Sequence, residues 1–189
     1  GRGQTARVGL ADFLAYMLFF PQLRHGPLER CGPFHRRLLV ARRAWEWRAA
    51  CVGLLRIGLA LLVLKVLAES AAVLLATYRD VVPVDVLTHP ETLSFGQLML
   101  LIHLPGVLLY AAESSFAHLA LGVSRVFGVR GTENFRYPFL ARSPREVWHR
   151  WNITVSSWLR DYVYIPLGGR NRRFFNIVLT FAYCGLLHG

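Results

Sequence analysis

The stretch SPREVWHRWNITVSSWLRDYVYIPLGGRNRR, residues 143–173, joins two apolar parts of the chain and carries most of the polar side chains between them. Its first residues match a helix start: Ser143 as a hydroxyl N-cap, Pro144 at the first helical position, and Glu146 reaching back to the cap. A proline and two glycines near its end stop a helix and permit a tight turn. The pattern therefore predicts one helix over residues 144–165.

This predicted helix is amphipathic. When it is projected at 100° per residue, one face is aromatic, the other is basic, and Asn152 lies at the seam between them. Tryptophan and arginine on opposite faces suit a helix in the membrane interface, with its rings at headgroup depth and its guanidinium groups among the phosphates. The aromatic face comprises Trp148, Trp151, Val155, Trp158, Leu159 and Tyr162, and the basic face comprises Arg145, His149, Ser156 and Arg160.

The composition of the whole chain indicates a membrane protein. Its 189 residues are 54% hydrophobic with a mean hydropathy of +0.36, which is more apolar than an ordinary soluble domain. The formal net charge is +11, and nearly all of the positive charge is arginine, because Lys65 is the only lysine. The arginines lie between apolar stretches, so we expect them to meet lipid phosphates rather than nucleic acid.

Three apolar regions predict helices that enter the membrane: residues 49–76, 95–127 and 174–189. The third would measure only about 22 Å as a helix, against about 30 Å of hydrocarbon, and the chain lacks an initiator methionine. We therefore expect both ends to be truncated and residues 1–189 to form a single fragment of a larger core. The predicted fold class is all-α, a polytopic helical bundle with interfacial or re-entrant helices.

The distribution of charge between these regions predicts their orientation. The connection over residues 78–94 has one basic and three acidic residues, which favours the outside, whereas the arginine-rich segments at 36–48 and 128–173 favour the cytoplasm. Charges within the first apolar region are expected to face protein, face a water-filled cavity, or extend towards an interface. They are Arg56, Lys65 and Glu69.

Two stretches of the sequence carry a resemblance to a known family. ENFRYPFLARSPREVWHRWNITVSSWLRDYVYIPLGG at 133–169, followed by GLLHG at 185–189, resembles the core of the membrane-bound O-acyltransferase family. The closest likeness is to the bacterial branch, which includes alginate O-acetyltransferases and teichoic-acid D-alanyl transfer proteins. FLAYMLFFPQLRHGPLERCGPF at 13–34 is similar to an upstream segment of the same family, so the resemblance covers nearly the whole chain.

The resemblance implies a multi-helix membrane enzyme that moves an acyl group from a thioester donor to a hydroxyl. His188 aligns with the family's invariant histidine, which is held to be catalytic, and a neutral imidazole can act as general base on the hydroxyl. Asn152 aligns with the second signature position, which is histidine in most polysaccharide-acetylating members and asparagine in many lipid-acylating ones. Its amide could stabilise the tetrahedral oxyanion or position the acceptor.

The remaining expected site residues are assigned to substrate binding: Trp151, Arg160, Asp161 and Tyr164. Arg160 and Asp161 match the family's arginine-aspartate pair, and either donor positioning or a solvated ion pair would explain them. His149 stands where relatives usually carry arginine and is left out of the predicted site. Cys184 and His188 share a helical spacing but lack a third ligand, so no metal site is predicted.

Simpler roles for the two catalytic candidates remain open. His188 could be a packed histidine, and Asn152 could be a helix-surface amide bonded to a neighbouring carbonyl. Two aspartates typical of the polysaccharide branch are replaced by Ala112 and His118, and Leu187 replaces the usual tryptophan, which weakens the case for alginate as acceptor.

The expected function is acyl transfer, with acetyl the leading candidate, in a multi-pass protein of the bacterial inner membrane. No bound cofactor is expected, because acetyl-CoA or an acyl carrier protein brings the acyl group as a cytoplasmic donor. The acceptor would be an exported polysaccharide or cell-envelope glycan, reached directly or through a periplasmic or extracellular acyl-relay protein, and membrane lipids would surround the chain. Two rivals are a lipid or small-alcohol acyltransferase and a catalytically silent scaffold.

Overall fold

The computed structural model describes residues 9–23, 26–43, 45–81 and 94–187 of the chain. All regular secondary structure within these ranges is helical, which agrees with the predicted all-α class. The α-helices of the described ranges are α1 (Leu10–Met17), α2 (Cys31–Arg43), α3 (Trp47–Val81), α4 (Phe95–Val126), α5 (Pro144–Arg150), α6 (Ile153–Leu159) and α7 (Arg173–Leu187).

Helices α3 and α4 cover the first two predicted spans and form the longest packed pair in the described residues. Both contain a segment long and apolar enough to cross a membrane: Trp47–Leu67, with a mean hydropathy of 2.3, and Phe95–Val126, with 1.6. The Ser94 hydroxyl caps α4 by accepting a hydrogen bond from the backbone N–H of Gln97. Many large apolar side chains on both helices point outward, as expected where lipid rather than water surrounds the helices.

The backbones of the two helices come close together at a pair of glycines, one on each helix. A Cβ added to Gly53 would lie 2.6 Å from the Gly122 carbonyl oxygen, and one added to Gly122 would lie 2.8 Å from the Gly53 oxygen. Gly53 is near the start of α3 and Gly122 near the end of α4, so the pair is antiparallel. Small residues allow membrane helices to pack backbone to backbone, because lipid provides no hydrophobic drive for association.

Helices α1 and α2 pack beside one end of this pair. Phe34 of α2 is fully buried against the rings of Tyr16 and Phe19. The proline-rich segment between the helices contains a 3₁₀ turn and then the buried carboxylate of Glu29, which accepts hydrogen bonds from Arg37 at 2.5 and 2.6 Å. Most of the described part of this segment is irregular.

The helix predicted over residues 144–165 is interrupted, which corrects the sequence-based expectation. Helix α5 ends at Arg150, Trp151 is extended, Asn152 is left-handed, and α6 starts at Ile153. A π-helical turn, Arg160–Tyr164, then follows α6 directly.

The interruption occurs because a second segment of chain supplies hydrogen bonds across it. The Arg136 amide donates to the Arg150 carbonyl, and the Ile153 amide donates to the Asn134 carbonyl, each at 2.9 Å. These bonds satisfy backbone groups that a continuous helix would have satisfied internally. The α5–α6 junction is therefore set by residues 134–136 rather than by the local sequence.

The predicted cap of α5 is also modified. The Ser143 hydroxyl accepts a hydrogen bond from the Glu146 amide at 3.2 Å, as expected. Glu146, however, accepts from the Arg142 amide at 2.8 Å rather than from the cap residue itself.

Candidate functional site

An open groove lies between helices α5 and α6 on one side and α7 on the other. Its volume is about 960 Å³. Ring contacts hold its walls together: Trp148 of α5 packs on Phe181 of α7 at 4.6 Å, and Trp158 of α6 stacks on Tyr183 of α7 at 6.4 Å. The lining is formed by Pro144, Arg145, Trp148, His149, Ile153, Ser156, Ser157, Leu159, Arg160, Tyr164, Arg170, Arg173, Ile177, Thr180 and Phe181.

The groove combines a positive charge with an apolar wall. Four of its lining residues are arginines, and none of the described residues that line it is acidic. The remainder of the lining is mostly aromatic or aliphatic, with hydroxyl groups from two serines, a threonine and a tyrosine. Such a surface suits a ligand that carries anionic groups at one end and an apolar or neutral group at the other.

The turn between the π-helical segment and α7 brings two of these arginines to the groove. Gly168 has a φ of 104° and Gly169 one of 54°, conformations that favour glycine. The Asn176 side chain, which is almost fully buried, donates to the Gly169 carbonyl at 2.8 Å and ties the turn to α7. Arg170 and Arg173 are thereby placed at the groove.

Two of the four predicted substrate-binding residues line the groove, namely Arg160 and Tyr164. Asp161 lies beside it, where it accepts a hydrogen bond from Arg160 Nε at 2.7 Å and pairs with Arg30 from the segment before α2. The hydrogen bond from Arg160, together with the charge of Arg30, holds the pKa of the Asp161 carboxyl below its usual range. Asp161 therefore orients Arg160 rather than contributing to the groove lining.

Trp151, the third predicted binding residue, is not among the groove-lining residues. Its ring packs against Tyr110 of α4 at 5.7 Å and against Phe135 at 5.4 Å, and Tyr110 also contacts Phe139 at 4.8 Å. The structure thus places Trp151 in an aromatic cluster that joins the α5–α6 junction to the long apolar helix α4.

Asn152 lies at the junction itself and has a φ of 42°. Asparagine and histidine are among the non-glycine residues that occur most often in this left-handed conformation. The left-handed backbone thus suits the asparagine that this chain has at the position. The side-chain oxygen Oδ1 is buried and has no hydrogen-bond partner among the described residues. A buried amide oxygen without a partner costs free energy unless another group satisfies it.

His188 lies outside the described residues, which end at Leu187, the last residue of α7. The catalytic role that the resemblance implies for His188 therefore stays a prediction.

The sequence reasoning missed several residues that line the groove, notably Arg145, Trp148 and His149. Arg145 and His149 were assigned to the face opposite the tryptophans, but they line the same groove as Trp148. Their i, i+3, i+4 spacing predicts a shared helix face, so the signal was present locally. The prediction treated residues 144–165 as one continuous helix and so grouped Trp148 with tryptophans beyond the break at residue 152. Because the helix is interrupted there, that common aromatic face does not form.

Among the described residues, no three histidine, cysteine or acidic side chains are arranged to hold a metal ion. The four arginines of the groove can bind an anionic ligand, and the lining hydroxyl groups can add hydrogen bonds.

Comparison with known proteins assigns the chain to a family. It matches the membrane-bound O-acyltransferase family over residues 2–189. It is 33% identical to the probable alginate O-acetylase AlgI of Azotobacter vinelandii, over 100% of this chain and 36% of that protein. It is 28% identical to the peptidoglycan O-acetyltransferase of Helicobacter pylori, over 98% of this chain and 35% of the relative.

A third relative, the teichoic acid D-alanyltransferase of Bacillus subtilis, is 26% identical over 82% of this chain and 38% of its own length. The chain thus spans little more than a third of these curated relatives. Because the family match includes the junction, the groove and both long apolar helices, the chain belongs to the membrane-bound O-acyltransferase family.

Proposed function

We propose that the chain is part of a membrane enzyme that transfers an acyl group, with acetyl the leading candidate, from a cytoplasmic thioester donor to a hydroxyl of an exported polysaccharide or cell-envelope glycan. The observation that carries the proposal is the family match over nearly all residues. The relatives are named for alginate, peptidoglycan and teichoic acid, and all three are bacterial surface or envelope polymers.

The arginine-lined groove supports the donor side of this proposal. Coenzyme A and the phosphopantetheine arm of an acyl carrier protein both carry phosphate groups, which arginine binds through charge-assisted and often bidentate hydrogen bonds. Arg160 is held in place by Asp161, so it loses less side-chain freedom on binding. The apolar wall of α7 would then lie beside the thioester end of the donor. No bound cofactor is needed, because the donor brings the reactive group.

The catalytic assignments are His188 as general base and Asn152 as hydrogen-bond partner. A sugar hydroxyl is a weak nucleophile near neutral pH, so a base must take its proton as the oxygen attacks the thioester carbon. The tetrahedral intermediate then carries a negative oxygen, which an amide N–H of Asn152 could stabilise. The carbon–sulfur bond breaks, the thiol leaves with a proton, and the ester remains on the acceptor.

Two features support placing this reaction in a multi-pass protein of the bacterial inner membrane. The arginines of the groove and of α2 lie on segments whose charge favours the cytoplasmic side, where thioester donors are made. Helices α3 and α4 provide two candidate crossings. Transfer to an exported glycan would require either acceptor access across the membrane or a periplasmic or extracellular relay protein.

The proposal is tested by the O-acyl ester content of envelope and secreted glycans, measured by NMR in cells carrying the native protein or His188→Ala at matched membrane levels. We expect the ester signal to fall by about 10²-fold or more in the variant, since loss of a general base typically has that effect. His103→Ala is the matched control, because this exposed histidine of α4 bonds to the Met99 carbonyl of its own helix.

The outcomes distinguish the proposal from its rivals. Glycan esters that persist in His188→Ala would contradict the base assignment. If deleting the protein left glycan esters unchanged but reduced esters in the lipid fraction, the acceptor would be a lipid or small alcohol. If neither fraction changed on deletion, the chain would be a silent scaffold.

A further inference from the structure

One partly buried ion pair links the long apolar helix α3 to the segment that holds the α5–α6 junction: the Arg56 side chain is shielded and the Glu133 side chain is 39% exposed. Arg56 of α3 donates hydrogen bonds to both carboxylate oxygens of Glu133, at 2.6 and 2.7 Å. The Arg56 side chain is 14% exposed, in a helix whose neighbouring side chains are apolar. A charge in such a position must be paired, so the pair holds Glu133 against α3.

Glu133 is the first residue of a short segment that spans the junction. Its neighbour Asn134 is buried and accepts hydrogen bonds from the Thr154 amide at 3.2 Å and the Thr154 hydroxyl at 2.6 Å. The Asn134 carbonyl accepts from the Ile153 amide, and the Arg136 amide donates to the Arg150 carbonyl. Residues 133–136 therefore contact the last residue of α5 and the first two of α6, on either side of Trp151 and Asn152.

The network continues to the segment before α2. The Thr154 hydroxyl accepts a hydrogen bond from the Leu28 amide at 2.9 Å, and Leu28 precedes Glu29, whose carboxylate accepts from the Thr132 amide at 2.7 Å. Polar groups from three parts of the chain thus converge on the start of α6. Since each is buried or partly buried, the loss of one partner leaves the others unsatisfied rather than free to bond to water.

We infer that the Arg56–Glu133 ion pair is a positioning device: it transmits the location of α3 to the α5–α6 junction and so holds Asn152 in its left-handed conformation beside the groove. Neither residue lines the groove. Arg56 and Glu133 act on the site through Asn134 and the backbone of Ile153. The structural part of the inference stands on these contacts, and its catalytic part rests on the proposed function of Asn152.

The ion pair can perform this role because Arg56 is fixed on a long helix and binds both carboxylate oxygens of Glu133. Two parallel hydrogen bonds between a guanidinium and a carboxylate define the angle as well as the distance of the loop. Arg56 also holds the pKa of the Glu133 carboxyl below its usual range, mainly through the side-chain hydrogen bonds, so the carboxylate stays charged at neutral pH. His118 of α4 adds a further electrostatic interaction with Glu133.

Hydrogen–deuterium exchange tests the structural part directly, with the membrane-embedded protein in its host membranes or in nanodiscs. In Arg56→Ala we expect the amides of Ile153 and Thr154 to exchange about tenfold faster or more, because their acceptor on Asn134 is no longer held in place. Peptides from α7 should keep their native rates. Lys65→Ala is the matched control, since Lys65 pairs with Glu69 in the same helix but is 74% exposed and 3.9 Å from its partner.

Acyl transfer by the same variants tests the catalytic part. A small displacement of a catalytic group lowers turnover on the order of 10²-fold, so we expect kcat to fall by about that factor in Arg56→Ala while the KM for the thioester donor changes less than about twofold. A merely structural role would instead reduce the amount of folded protein without this split. The exchanged pair Arg56→Glu with Glu133→Arg should recover part of kcat, because it restores the ion pair with reversed charges.

Hydrogen exchange and turnover can each contradict a different part of the inference. Unchanged exchange at Ile153 and Thr154 would overturn the positioning inference whatever the activity. Faster exchange together with full turnover in both Arg56→Ala and Asn152→Ala would keep the positioning role and overturn the proposed function of Asn152. If Arg56→Ala does not fold, Glu133→Gln gives the same test, because it keeps the shape of the pair and removes one charge.

Discussion

Helix α4 and the α5–α6 junction respond in opposite ways to their local sequences. Helix α4 contains Pro105 followed by Gly106, the residues that most disfavour a helix interior, and yet it is one helix from Phe95 to Val126. The stretch from α5 to α6 has a strong helix start and no proline or glycine near its centre, and yet it breaks at Asn152. Local propensity therefore does not decide continuity at either place.

The difference lies in where each backbone finds its hydrogen-bond partners. In a membrane-spanning segment, no water is available to satisfy backbone groups, so a helix persists through a proline that would end it in water. The part of α4 just beyond Pro105 is also held by Tyr110, which packs on Trp151 and Phe135. At the junction, residues 134–136 provide alternative hydrogen-bond partners for the backbone, and the helix is interrupted there.

The largest expected effect comes from disturbing the packing that aligns α4 with α3. Gly122→Val would place a side chain within 2.8 Å of the Gly53 carbonyl, a backbone atom that cannot move aside. We expect a loss of about 3 kcal/mol or more in stability, measured as thermal unfolding in detergent. Gly106→Ala is the control, because no atom lies within 4 Å of its added Cβ.

The Gly106→Ala control should be stabilised by up to about 1 kcal/mol, since alanine favours a helix interior over glycine. Equal stability of Gly122→Val and the native protein would show that α3 and α4 do not approach as closely as the structure has them. It would also contradict the idea that a firmly packed α3 positions Glu133 through Arg56.

A smaller effect is expected from separating the backbone role of Asn152 from its amide. Asn152→Ala should lower stability by about 1–2 kcal/mol, because alanine disfavours the left-handed conformation, whereas Asn152→Gly should be close to native. If the amide stabilises the oxyanion, both variants should lose about 10²-fold in kcat. Turnover measured beside thermal unfolding distinguishes these roles.

Full activity in Asn152→Gly with low activity in Asn152→Ala would indicate that only the left-handed backbone matters. Full activity in both would contradict any catalytic role for the position, and the junction would then serve the fold alone.

The smallest effect concerns the start of α5, where the local sequence does decide the structure. The hydrogen bond from the Arg142 backbone N–H, with those from Arg150, holds the pKa of the Glu146 carboxyl below its usual range. A carboxyl with a lowered pKa contributes stability above its unfolded pKa and loses it as the pH falls through the folded value. Infrared titration should show Glu146 protonating at a lower pH than an ordinary glutamate, identified by loss of the band in Glu146→Gln.

Because Glu146 is partly exposed to solvent, its protonation should leave global unfolding nearly unchanged while the first turn of α5 loosens. Protonation at or above the ordinary pKa would mean that the Arg142 and Arg150 contacts do not persist in the membrane-embedded protein. The helix start would then depend on Ser143 alone.

The two ion pairs of α3 also show that the local sequence does not decide the environment of a side chain. Arg56 and Lys65 look alike in the sequence, as basic residues within one apolar helix. Arg56 is shielded and bonded to a residue 77 positions away, whereas Lys65 is exposed beside Glu69 one turn along. From the sequence, either residue could face protein or extend towards an interface. Only the fold shows that Arg56 faces protein and that Lys65 is exposed.

The amino-acid sequence by itself determined the all-helical class, the two long apolar helices, the cap at Ser143 and the family, because these depend on local composition, periodicity and motif. It also marked Arg160 and Tyr164 as binding residues; the structure places both at the groove, and their role in binding stays a prediction. Only the tertiary structure decided that the chain breaks at Asn152, that Trp151 packs on α4, and that Arg145 and His149 line the groove. These features depend on hydrogen bonds and ring contacts from residues 110 and 133–136, distant partners that no local pattern encodes.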